Sequence, residues 1–346
     1  NKYRFNDFGT SAVTLDLAEG GTYTFDGSDS SMSGHPFVIG TAANGSVYST
    51  GVTYQLDGAS VTYSAYTSGY SSATTRKLII TVPASAPQLY YWCSIHSGMG
   101  GAINTNTTLG SSNFAGSIQS TVKANTTAGF SIVSYTGTGA DGTVGHGLGV
   151  TPSAIFLKNR DRSVDWIVKH KSATSGYILY LNQNGVADGA TGTNNGIIAD
   201  LSSSSTFSIT RTSNSGNYNN VGLNGEKVIA YCFSGVDGYS KFGSYTGNGN
   251  ANGLVLYLGF SPAFLLIRRT DSGNNWRIFD SKRNAFNVVN SRLYADTTGT
   301  ESTGSAVDFL SNGVKMRNSD NGMNTSGGTY IYFAFAKSPS KNSRAR

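Results

Sequence analysis

The chain runs to 346 residues, enough for two or three domains with separate hydrophobic cores. Charged residues make up 13%, and Glu occurs only at Glu19, Glu226 and Glu301 while Gly (44) and Tyr (20) are abundant, which excludes a protein built from Glu-rich helices. The formal charge of +6 is scattered, four Lys/Arg against six Asp/Glu in residues 1–110 and twenty-one against thirteen beyond, so no basic face is set up for nucleic acid.

No window holds the roughly 18 apolar residues that a membrane-spanning helix needs, so no membrane insertion is expected. The two cysteines, Cys93 and Cys232, are too few and too far apart for a disulfide framework. The first residue is Asn and no signal-peptide pattern follows it, which reads as a segment from inside a longer gene product.

Aromatic and β-branched residues recur in short runs separated by Gly, Asn, Asp and Ser, the pattern of many short strands joined by tight turns. The predicted class is all-β. In the first domain, residues 1–104, strands are predicted at Ala12–Leu17, Thr22–Phe25, Phe37–Ile39, Val52–Leu56, Ser60–Tyr66, Lys77–Val82 and Gln88–Cys93. Seven short strands suit a sandwich.

Directly after the last of them comes Tyr91-Trp92-Cys93-Ser94-Ile95-His96-Ser97-Gly98-Met99, which sets Cys, His and Met at C-x-x-H-x-x-M spacing. A second imidazole, His35, lies 58 residues before Cys93 in Ser33-Gly34-His35-Pro36. Two His, one Cys and a long axial Met are the ligands of blue-copper sites, because thiolate and thioether favour Cu(I) while imidazole suits Cu(II).

Tyr91-x-Cys93-Ser94-x-His96 followed by Met99 resembles the copper loop of plastocyanin- and amicyanin-type cupredoxins. That resemblance covers about residues 12–104 and implies a cupredoxin-like Greek-key sandwich with copper held, in a type 1-like site, by His35, Cys93, His96 and Met99. Ile95 stands where the family usually has proline, which removes a source of stiffness from the loop. The residues are compatible both with electron transfer and with a structural copper that pins the His35 loop to the 93–99 loop.

Residues 105–125 are small, polar and without period, and are expected to be a linker. Beyond them the chain repeats itself. Ser134-Tyr135-Thr136-Gly137 recurs as Ser244-Tyr245-Thr246-Gly247, and at the same offset Leu148-Gly149 meets Leu258-Gly259, Pro152 meets Pro262 and Trp166 meets Trp276. Ten identities in 37 ungapped positions indicate duplication. The copies are placed at 126–238 and 239–346, the second ending in a short basic tail, as two repeated β-sandwich units. Two tandem sandwiches and one large pseudo-two-fold sandwich both fit.

Motifs that carry chemistry elsewhere read as structure here. Gly137-x-Gly139-x-x-Gly142 lacks a surrounding βαβ unit and reads as a turn. His146 and His170 align with Leu256 and Asp280, so the repeated architecture requires neither imidazole, and Cys232 aligns with Ala334 as a small buried strand position. Trp166 and Trp276 read as core anchors, and Asp161, Asp165, Asp271 and Asp280 form no recognisable pair of acid and nucleophile. No enzymatic activity is predicted. The basic end Lys337–Arg346 reads as a solvated tail.

Over residues 129–346, Gly145-His146-Gly147-Leu148-Gly149-Val150-Thr151-Pro152, Gly238-Tyr239-Ser240-Lys241-Phe242-Gly243 and Asp308-Phe309-Leu310-Ser311-Asn312-Gly313 resemble repeat segments of phage tail and fibre proteins, as does the close Gly327–Ala336. The resemblance implies a structural and adhesive virion component, a tail fibre or similar appendage on the particle surface. It further implies a homo-oligomer, trimeric by preference, that contacts other virion proteins and a host receptor or glycan. A copper electron-transfer protein with an attachment module is the alternative, and a polysaccharide depolymerase a third reading.

Overall fold

The computed structural model describes residues 2–106, 110–174, 177–189, 201–210, 221–304 and 306–338. Strands account for 42% of the chain and helix for 3%, so the all-β class holds. The chain forms two compact units, Asn1–Lys123 and Ala124–Arg346.

The first unit is a sandwich of two four-stranded sheets. One has the order β1 (Leu15–Ala18), β8 (Gly101–Asn106), β7 (Leu89–Cys93), β3 (Phe37–Gly40); the other runs β2 (Thr22–Asp26), β6 (Arg76–Thr81), β4 (Val52–Leu56), β5 (Ala59–Val61). Alternation drives the packing: Leu15 and Leu17 of β1 and Leu78 and Ile80 of β6 are buried in one core with Phe37, Tyr91 and Ile103. Strand β1 pairs in parallel with β8, Leu15 opposite Ile103, while β7 pairs antiparallel with both β8 and β3.

Two expectations are corrected here. The predicted strand Ser60–Tyr66 ends at Val61, and helix α1 (Tyr63–Gly69) follows. Thr62 caps it by accepting a hydrogen bond from the Ala65 amide at 3.2 Å, and Tyr66 and Tyr70, one turn apart, are both buried in the core. Residues 105–125 are not a bare linker: β8 runs on to Asn106, and β9 (Ser111–Asn113) pairs antiparallel with β10 (Ser120–Asn125). Side chains hold this segment. Asp16 accepts from Asn104 Nδ2 (2.9 Å) and Thr121 Oγ1 (2.7 Å), and its amide donates to Ser112 Oγ (2.7 Å).

In the second unit the two copies repeat one topology. Copy one has β11 (Phe130–Thr136), β12 (Gly142–Gly145), β13 (Ala154–Asn159), β14 (Ile167–His170), β15 (Tyr177–Tyr180), β16 (Asp188–Gly189), β17 (Thr206–Ile209) and β18 (Lys227–Phe233). Copy two has β19 (Ser240–Thr246), β20 (Val255–Tyr257), β21 (Pro262–Arg269), β22 (Arg277–Asp280), β23 (Leu293–Tyr294), β24 (Val307–Phe309), β25 (Gly313–Met316) and β26 (Thr329–Ala336). The large sheet of copy one is ordered β11-β18-β13-β14-β15-β16 and that of copy two β19-β26-β21-β22-β23; each copy adds a small sheet, β12-β17 and β20-β25-β24.

Alternating side chains tell how these layers stack. Leu265, Ile267, Tyr330, Tyr332 and Ala334 of the second large sheet share a core with Leu256, Val307, Val314 and Met316 of its small sheet. Its other face, Phe242, Leu266, Trp276, Ile331 and Phe333, shares a core with Ala154, Val168 and Leu179 of the first copy. Each large sheet therefore meets the other, and the copies are two sandwiches built back to back. Phe333, 2% exposed, lies at the centre, its ring 5.4 Å from Phe156 and 5.0 Å from His170.

Among the described residues no helix is long and apolar enough to cross a membrane. The predicted basic tail lies, from residue 339 onward, outside the described residues.

Candidate metal centre

Strand pairing assembles the site. In the β3–β7 ladder Phe37 lies opposite Cys93, and beyond the ladder the Ser94 amide donates to the Pro36 carbonyl at 3.0 Å, so His35 is carried to the end of the sheet where Cys93 leaves it. The chain then turns: the His96 amide donates to Cys93 Sγ at 3.4 Å, which folds His96 back over the sulfur. Gly98 has φ +74°, and a Cβ on Gly100 would lie 1.6 Å from the Tyr91 carbonyl oxygen. Glycine at both positions lets the loop close against β7.

Three of the four expected ligands converge. His35 Nδ1 and His96 Nδ1 are 3.1 Å apart, and Cys93 Sγ lies 3.8 Å from the first and 3.5 Å from the second. The circumcentre of a triangle with those edges is about 2.0 Å from each atom, close to the bond lengths that Cys and His make to a small transition-metal ion. Two imidazoles and a thiol fit a soft or borderline ion such as copper. Cys93 is 2% exposed, His35 is half-buried and His96 is exposed, so the sulfur is sheltered and one imidazole edge meets solvent. Met99 is buried in the same core cluster as Cys93, at the end of the loop.

Burial, then the neighbouring His96, lowers the pKa of His35 from its ordinary value. The neutral imidazole is the form that binds metal, so this shift favours ligation.

Tyr3 was not foreseen from the sequence. It lies outside every predicted strand, yet its hydroxyl donates to the His35 carbonyl at 2.9 Å and its amide to the Met99 carbonyl at 3.1 Å. No periodic or motif signal marks it.

The other candidate groups are engaged in structure. His146 Nδ1 accepts from the Leu148 amide and His170 Nδ1 from the Ser172 amide; burial pushes His170 down to about 3. Cys232 is buried and free, its thiol pushed up to about 12 by burial, and Cys93 is also a free cysteine. Asp161 accepts from the Lys227 amide, Asp165 from Asn182 Nδ2, Asp271 from Arg269 and Asp280 from Arg283. Trp276 is a core anchor, fully buried, while Trp166 is only partly covered and stacks on Tyr231. Gly139 has φ +77° and a Cβ on Gly137 would strike the Leu223 carbonyl, as a turn requires.

A family model described as a domain of unknown function, DUF7483, matches residues 102–339. No curated protein matches the chain.

Proposed function

The chain belongs to the DUF7483 family, whose description assigns no activity, and we propose from its own residues that it is a structural and adhesive component of a phage virion, part of a tail fibre or similar surface appendage. The observation that carries this reading is the back-to-back pairing of the copies. Their aromatic side chains are used in a shared core around Phe333, and their imidazoles and carboxylates in backbone hydrogen bonds and ion pairs. Such a scaffold commits these side chains to packing, as a structural part of a particle requires.

Contact with a host surface has candidate residues. Phe286 is 85% exposed and Tyr257 67% exposed, aromatic side chains that offer apolar area to a partner. The repeat resemblance adds a homo-oligomer, trimeric by preference, with other virion proteins and a host receptor or glycan as partners. Purified protein is expected to bind host cells and compete with particle adsorption, and Phe286→Ala with Tyr257→Ala to weaken that competition. Full competition by the double variant would remove these residues from the contact, and absence of cell binding would remove the adhesive role.

For the front unit we propose a cupredoxin-like metal module. His35, Cys93 and His96 would hold the ion, with Met99 as a fourth candidate, and copper there would supply a cross-link between the loops before β3 and after β7. A second reading, electron transfer, is favoured by the exposed edge of His96. Reversible one-electron reduction of the copper-loaded protein would support it; a copper that stays in one oxidation state would leave the structural role.

A further inference from the structure

Tyr3 adds a second tie between two loops that the Ser94–Pro36 hydrogen bond already brings together at the end of the sheet. Its hydroxyl holds the carbonyl of His35, on the loop before β3, and its amide holds the carbonyl of Met99, on the loop after β7. Its own carbonyl accepts from the Ala12 amide at 2.8 Å, closing residues 3–12 into a loop. The ring is 3% exposed, edge-on to Phe37 at 5.3 Å and tilted against Tyr91 at 6.2 Å. Two residues on, Phe5 lies against Phe25, Phe37, Tyr91 and Phe114. Segment 3–12 is thus packed onto the strands that present His35 and Cys93.

We propose that Tyr3 is a strap across the two ligand loops, so that metal binding at His35, Cys93 and His96 and docking of residues 3–12 stabilise one another. The inference rests on the metal reading of the site. Its physical basis is linkage: a segment that fixes the spacing of two ligand loops raises affinity for the ion by the same factor by which the ion favours the docked segment. Tyr3 acts as a positioning residue: its hydroxyl donates to the backbone carbonyl of His35 and lies beside the Cys93 thiol.

The test uses the full chain with one equivalent of Cu(II), and Zn(II) as a redox-silent probe. Affinity and the thiolate-to-copper absorption band are measured for wild type, Cys93→Ser and Tyr3→Phe, and amide hydrogen exchange is followed over residues 2–12 with and without metal. Tyr3→Phe keeps the ring and loses only the hydroxyl, so the core survives. The strap predicts slower exchange over 2–12 on metal binding, and metal affinity about three- to tenfold weaker in Tyr3→Phe, the loss of one hydrogen bond, with a shifted band. Metal binding by wild type with unchanged exchange over 2–12, or with Tyr3→Phe at wild-type affinity, overturns the strap and leaves the metal centre standing. No metal uptake by wild type, with Cys93→Ser indistinguishable from it, removes both.

Discussion

Trp276 of the second copy donates its indole N–H to the Tyr180 carbonyl oxygen of the first at 2.7 Å. The contact does not stand alone. Arg268 Nη2 donates to the Gly185 carbonyl and the Ala187 amide to the Thr270 carbonyl, so copy two grips residues 180–187 of copy one from three positions. Arg268 itself stacks on Trp276, its carbon 5.8 Å from the ring centre, and burial lowers its guanidinium to about 10.

Stability of the second unit should therefore depend on this seam. Phe333→Ala is expected to cost about 3–5 kcal/mol, the range for emptying a buried aromatic site. Trp276→Phe removes the indole hydrogen bond to the Tyr180 carbonyl, which still accepts from the Gln183 amide at 3.4 Å, and shrinks a fully buried ring, so it should cost about 1–3 kcal/mol. Trp166→Phe, at the equivalent but partly covered position, should cost less than Trp276→Phe. Chemical unfolding of the three variants gives the order, and equal losses for the two tryptophans would contradict it.

Acid should loosen the same seam through His170. Its folded pKa of about 3 lies below the ordinary 6.5, because burial disfavours the charged ring. Between those values the unfolded chain binds the extra proton, so this residue makes stability fall as pH drops from 6.5 toward 3, by up to about 1.4 kcal/mol per pH unit. His170→Asn keeps an acceptor for the Ser172 amide and removes the titration. The variant's stability curve should be flatter over that window; parallel curves would show that the imidazole does not control it.

Loop closure at the candidate metal centre should tolerate one glycine change and not another. Gly100→Ala drives a methyl into the Tyr91 carbonyl, and about 1–3 kcal/mol of destabilisation with loss of metal affinity is expected. Gly34→Ala, one residue from His35, meets nothing within 4 Å and should change neither. Metal titration and thermal unfolding of both variants check the contrast.

Protons would compete with a bound ion for the same nitrogens. Since burial beside His96 holds His35 below 6.5, its contribution to metal affinity should persist at pH 6.5 and fail at lower pH, where the ring protonates. Copper affinity measured from pH 7 to pH 4 should fall on acidification, and a flat profile would argue against imidazole ligation.

Most strands of the first unit and the meeting of Cys93 with His96 were legible because each rests on a local signal: alternation in Leu15–Ala18 and Arg76–Thr81, and the short spacing from Cys93 to His96. The duplication was legible from spacing alone, and the matching strand orders around β18 and β26 agree with it. Helix α1 was hidden by its tyrosines, which read as strand; the Thr62 cap and the burial of Tyr66 and Tyr70 prevail over that preference. Strands β9 and β10 were hidden because hydrogen bonds from Asp16, Ser112 and Thr121 hold them, and these have no periodicity. Tyr3 and the back-to-back seam depend on contacts between distant residues, which no single-strand pattern encodes.

The role proposed for the chain is tested most directly on the particle. Electron microscopy of intact phage, with gold-labelled antibodies raised against the 124–338 unit, should place label on the tail or another surface appendage at a fixed multiplicity. Particles free of label, with the protein recovered only from the infected cell, would contradict the account.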